Sequence, residues 1–164
     1  MMAGTAGAVF VALEQSGFSA AIRQSLWAYP VANIGHIAFL FVFAGAIAII
    51  GVSLLGGFAA TDRRSVLARA RMVAAAGLLG MAVTGFVLFA ADAGHLAENP
   101  VFQLKIVLIA AGLLNAAVHE LWLRRRISTL ASAAAMPASA KMAGLLSLAT
   151  WISVAVCGRS IAYF

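Results

Sequence analysis

The residues able to do chemistry in this chain are few, and most of them stand in or beside apolar runs. Three histidines, His36, His95 and His119, share the sequence with Asp92, Glu98, Lys105 and Arg159. Ionisable groups at membrane depth are costly and are functional candidates by default. Depth along each run sorts them. At helical rise, His36 lies about 9 Å inward of Pro30, and Lys105 about 6 Å inward of Val101. Arg159 follows Cys157 at the end of the last run, and His95, Asp92 and Glu98 sit where the second run ends. These six groups therefore gather in one third of the molecule. His119, about 27 Å along from Val101, belongs to the opposite interface.

Several chemistries suit that gathering. A b-type haem needs two axial ligands from different helices at one depth, and His36 and His95 are the pair that matches. They would be the iron ligands if haem is bound, with Lys105 and Arg159 facing its propionates. Without iron, His36, Lys105 and Arg159 could hold an anion, a lipid head group or a quinone carbonyl, with the imidazole as proton acceptor. Other readings are a small transporter and an accessory subunit of a larger membrane complex. Plainer roles compete with all of these. Lys105 and Arg159 can snorkel to the head groups, and Thr84, Asn115, Ser147, Thr150 and Ser153 can serve as interhelical hydrogen-bond glue. The sequence shows no metalloprotease HExxH, phosphate loop or nucleophile elbow. Cys157 is the one cysteine, so no internal disulfide or CxxC pair exists. No independent catalytic activity is expected.

The elements that must position these groups follow from composition. Of 164 residues, 64% are hydrophobic and 10% are charged, against about 25% charged in soluble domains. A chain this short cannot hide that excess in a core, so the bilayer is the expected solvent. About 20 apolar residues cross the hydrocarbon, and four segments are long enough: 31–58, 72–91, 101–123 and 142–157. Together they predict one all-α domain over 1–164, a polytopic antiparallel bundle of four transmembrane helices. Residues 7–28 carry helical periodicity, with Phe10, Leu13, Phe18, Ile22 and Leu26 on the apolar side. They are expected to form one N-terminal amphipathic interfacial helix, ended by Pro30.

The net charge of +6 raises nucleic acid as a partner until the charges are placed. Arg63, Arg64, Arg69 and Arg71 lie between the first two runs, and Arg124, Arg125, Arg126 and Lys141 between the last two. Arg23, Lys105 and Arg159 are the basic residues on the other side. That asymmetry describes topology under the positive-inside rule. It predicts a bacterial inner-membrane protein with both termini periplasmic, so the six gathered groups face outward. No basic face with interleaved aromatics exists to bind nucleic acid. Trp27, Tyr29 and Tyr163 fit an outer aromatic belt, and Trp122 an inner one. The start "MMAGTAGAVFVALEQ" lacks a basic leader and does not resemble a cleavable signal. The small-residue segment 127–140 is expected to be a linker broken at Pro137. The row Ala76, Gly80 and Thr84, with Gly77 and Gly85 beside it, predicts close helix contact.

The stretches "SLWAYPVANIGHIAFL", "MAVTGFVLFAADAGHLAENPVFQLKIVLIAAGLLNAAVHE" and "CGRSIAYF" resemble a family of small bacterial integral membrane proteins classed as a domain of unknown function. The shared features are Trp27, Tyr29, Pro30, His36, Thr84, Gly85, Pro100, Phe102 and Lys105, and they span residues 25–164. The resemblance implies a four-span inner-membrane protein in which His36 and Lys105 recur, and carries no activity to transfer. Members often hold other residues at the positions of His95 and His119. This chain departs from the pattern at "GVSLLG", where Gly51 and Ser53 replace the acid and base of an Asp-Leu-Arg-Leu-Leu-Gly stretch. A looser likeness, to copper-resistance and cytochrome b561-type bundles, is one of fold alone.

Overall fold

The computed structural model describes residues 3–57, 62–123 and 136–163, and their side chains except those of 3–6, 122 and 123. Arg124, Arg125, Arg126, linker residues 127–135, the Phe58 end of the first span and the Trp122 side chain lie outside that description. The elements are α1 (Ala3–Glu14), α2 (Gly17–Gln24), α3 (Ala28–Leu55), α4 (Arg63–Ala91), α5 (Ala93–Glu98), α6 (Pro100–Val118) and α7 (Ala138–Ser160). A π turn, His119–Leu123, continues α6, and a 3-10 turn, Ile161–Tyr163, closes α7. No strand occurs among the described residues.

Four helices are long and apolar enough to cross a bilayer: Ala28–Leu55, Arg63–Ala91, Pro100–Leu121 and Ala138–Tyr163. Their outward faces carry bare apolar side chains, with Phe41 74% and Leu79 66% exposed. An apolar surface of that extent marks contact with lipid.

Three boundaries differ from expectation, each for a local reason. Residues 7–28 form parts of two helices rather than one. Ser16 ends α1 and starts α2, its hydroxyl accepting from the Ser19 amide while the Ser19 hydroxyl donates to the Leu13 carbonyl at 2.7 Å. Pro30 does not end a helix; it lies in the first turn of α3, where amides have no intrahelical partner to lose. The break falls at Ser25, whose side chain accepts from the amides of Trp27 and Ala28. Finally, Arg63, Arg64, Arg69 and Arg71 are not in a loop but on the first turns of α4. Asp62 caps that helix by accepting from the amides of Arg64 and Ser65.

Packing is built around α3, which lies against α4 and α7, while α7 also packs on α6. Phe43, Ala46, Ala74, Met81, Trp151 and Val154 form the central core. The small residues of α4 set the α3 contact. A Cβ on Gly77 would stand 3.0 Å from the Phe43 backbone nitrogen, and one on Gly35 3.3 Å from Thr84 Cγ2. The contact row is therefore Gly77–Gly80–Thr84; Ala76 faces outward. Helices α4 and α6 are not a packed pair. They are bridged near their ends, by stacked Phe89 and Phe102 at 5.3 Å and by Arg71 and Glu120 at 3.6 Å.

At the Phe89 end, α1, α2 and α5 form a helical cap. Ile22 packs with Ala90 and Ala91, and Phe10 meets Phe89 edge-on. The Glu14 carboxylate accepts from the Gly94 amide at 2.8 Å. Asn99 then caps α6 through the amides of Val101 and Phe102, with Pro100 in the first turn, where its fixed φ suits a helix start.

Candidate functional site

His36 projects from α3 toward α4, where its Nδ1 lies 3.0 Å from Thr84 Oγ1. The Thr84 hydroxyl has one proton, and it donates that proton to the Gly80 carbonyl at 2.7 Å. It is therefore placed to accept from the ring, with the Met81 carbonyl as a second acceptor, an arrangement that suits the neutral Nδ1–H tautomer. The lone pair of Nε2 is left for another group. Gly85 makes room for the ring, since a Cβ there would stand 3.0 Å from His36 Cε1.

Lys105 comes from α6, one turn from Phe102, which stacks on Phe89, one turn from the Gly85 beside the His36 ring. Its stem passes α7, where a Cβ on Gly158 would be 3.5 Å from Nζ. The ammonium is half-buried and has no hydrogen bond or salt bridge among the described residues. One end of the bundle thus holds an oriented imidazole and an unpaired cation, supplied by α3 and α6.

Of the other two site candidates, His95 lies apart from this pair, while Arg159 follows Gly158, beside which the Lys105 ammonium passes. From Gly85 to the end of α4 the axis rises about 9 Å, and His95 lies beyond that, on α5. Its Nδ1 is 3.4 Å from Asp92, and the side chain is 71% exposed. Arg159 donates to the Tyr163 hydroxyl at 2.8 Å and stacks over that ring, on the exposed end of α7. Neither forms a hydrogen bond or ion pair with His36 or Lys105 among the described residues. No group of three or more His, Cys, Asp or Glu residues that could hold a metal ion occurs there either.

No family model, curated protein or solved structure matches this chain.

A second group of polar residues lies at the other end. Because α4 and α6 stand apart, a cleft of about 360 Å³ opens between them, backed by α3 and α7. His119, Arg71, Glu120 and Asn115 line it together with Trp151 and apolar residues. His119 is buried, with 7% exposure, and its Nε2 has no hydrogen-bond partner among the described residues. Asn115 donates across to the Ala143 carbonyl at 3.1 Å. Nothing in the sequence joins Arg71 to His119, 48 residues apart. The available signal was the polarity of His119 and Glu120 at the end of a span, and that had an ordinary reading as an interface.

Proposed function

We propose that this chain is an integral subunit of the bacterial inner membrane, an antiparallel four-span bundle with its helical cap outside, that binds a quinone head group at His36 and Lys105. The unpaired Lys105 ammonium beside the oriented imidazole carries this reading. A half-buried cation with no acceptor among the described residues calls for an oxygen acceptor, and a quinone carbonyl supplies one without a second charge. The His36 Nε2 lone pair can accept from the hydroxyl of the reduced form. The chain would contribute the head-group site, and a partner subunit of a larger complex the electron carrier. The separation of His95 from His36 favours quinone over bis-histidine haem. Charge asymmetry supports the orientation, and the Trp27–Tyr29–Pro30 and Pro100–Phe102–Lys105 motifs support membership of the small four-span family.

Histidine-selective ¹⁵N spectra test the site. Adding decylubiquinone to the purified protein in lipid discs is expected to shift His36 and leave His95 in place, and Lys105→Met should remove the shift. An unmoved His36 at saturating quinone would overturn the assignment, and a reduced-minus-oxidised spectrum with a sharp alpha band would transfer it to haem. For orientation, a cysteine at Arg64 in a Cys157→Ser background should be reached only from the cytoplasm, and one at Ser25 only from outside.

A further inference from the structure

The cleft between α4 and α6 lies among residues that the quinone site does not use. Its volume, about 360 Å³, falls at the lower end of small-molecule pockets and equals about twelve waters at liquid density. Water is a poor occupant, because Ile47, Ile50, Ala74, Leu78 and Leu113 dominate its walls. The space calls for an apolar body. The neighbouring helices do not close it, since α4 and α6 approach through Arg71–Glu120 at one end and Phe89–Phe102 at the other. An occupant can thus enter sideways from the bilayer.

The polar groups specify its head. Leaving the buried His119 Nε2 without a partner is costly, and an oxygen in the cleft would relieve it. Arg71 and Glu120 lie 3.6 Å apart with opposite charge, so the mouth has little net charge with which to hold an ion. The π turn that begins at His119 adds to this, because such turns are frequent where a helix carries a ligand site. We infer that the α4–α6 cleft binds a neutral amphiphile, an apolar body bearing an uncharged hydrogen-bonding oxygen that pairs with His119. Two membrane sources share that chemistry: an isoprenoid quinone and a glyceride or long-chain alcohol.

Trp151 lines the cleft and reports on it. With Trp27→Phe and Trp122→Phe it becomes the sole tryptophan. In lipid discs, saturable quenching by decylubiquinone is expected if the source is a quinone, and by a brominated long-chain alcohol if it is a lipid alcohol. His119→Leu should weaken the effective probe at least tenfold, while His119→Gln, which keeps a donor nitrogen, retains most of the binding. Ala116→Phe, which fills the cleft from α6, should abolish saturation even if His119→Leu fails to fold. Linear, unsaturable quenching by both probes would overturn the inference, as would saturation unchanged in His119→Leu or in Ala116→Phe. The site is independent of His36, so His36→Ala should leave the Trp151 titration intact whether or not the quinone proposal holds.

Discussion

His36 and Thr84 are joined across the α3–α4 interface by a 3.0 Å contact whose direction is set by a third group, the Gly80 carbonyl. A threonine hydroxyl on a helix that bonds back to its own turn is ordinary. Here that back-bond, with the Met81 carbonyl as a second acceptor, favours the proton on Nδ1 and leaves Nε2 to meet a ligand.

Thr84→Val removes the acceptor and keeps the shape, whereas Thr84→Ser keeps both hydroxyl bonds. The valine variant should lose about 1 kcal/mol or somewhat less, as interhelical bonds in membranes often contribute. Histidine ¹⁵N shifts should show a nearly pure Nδ1–H form of neutral His36 in the parent and in Thr84→Ser, and a larger share of the Nε2–H form in Thr84→Val, where only the Met81 carbonyl remains as acceptor. A mixture in the parent protein would show that Thr84 does not orient the ring.

Glycines on the bundle should answer differently to alanine. At Gly77 the added Cβ meets the Phe43 nitrogen, Cβ and Cα at 3.0–3.2 Å, and backbone cannot swing away. Gly77→Ala should cost about 1–3 kcal/mol as overpacking. Gly45 has nothing within 4 Å, so Gly45→Ala should be neutral or stabilising by up to about 1 kcal/mol. Reversible unfolding in mixed micelles checks the pair, and equal effects would place the α3–α4 contact elsewhere.

The four spans were legible because a bilayer demands length and apolarity, and both are visible in one dimension. The small-residue row of α4 was legible for a related reason: close helix approach requires missing side chains. Its register was not, since whether Ala76 or Gly77 faces α3 depends on helix rotation, which the partner's shape decides. Depth alone put His36 and Lys105 in one third of the molecule. Depth could not show that His95 stands off the spans, because it ignores azimuth and the folding of "DAGHLAENP" into α5. The partners of Arg71 were hidden entirely, since its segment carried an orientation signal that explained its charge without any neighbour.

Asp62 gives the pH dependence of the α4 start. The Ser65 hydroxyl, donating to its carboxylate at 2.5 Å, holds its pKa below the ordinary aspartate value, helped by the amides of Ser65 and Arg64. A depressed native pKa means that the cap contributes fully above the unfolded value, about 3.9, and is lost as pH falls through the native one. Carboxyl-detected titration should place Asp62 lower in the parent than in Ser65→Ala. The Arg64 and Ser65 amides should lose exchange protection only below that point, and at every pH in Asp62→Ala. An identical Asp62 titration in Ser65→Ala would assign the depression to another cause.

Arg23 holds the cap to the bundle. One guanidinium nitrogen donates to the Glu14 carbonyl at 2.9 Å and to the Ala91 carbonyl at 3.2 Å, the last residues of α1 and α4. A cation at a helix C-terminus satisfies carbonyls that have no amide partner and meets the negative end of the dipole. Arg23 itself is exposed, so solvent reduces the effect of these bonds to about 1 kcal/mol, below the usual range for charged donors. Arg23→Ala should therefore speed amide exchange across α2 by roughly fivefold, leaving α6 and α7 unchanged, and Arg23→Lys should recover part of the protection. Exchange that rises equally throughout all four spans would show that Arg23 supports the whole fold, and no change in α2 would show that the apolar contacts of Ile22 with Ala90 and Ala91 are sufficient to seat the cap.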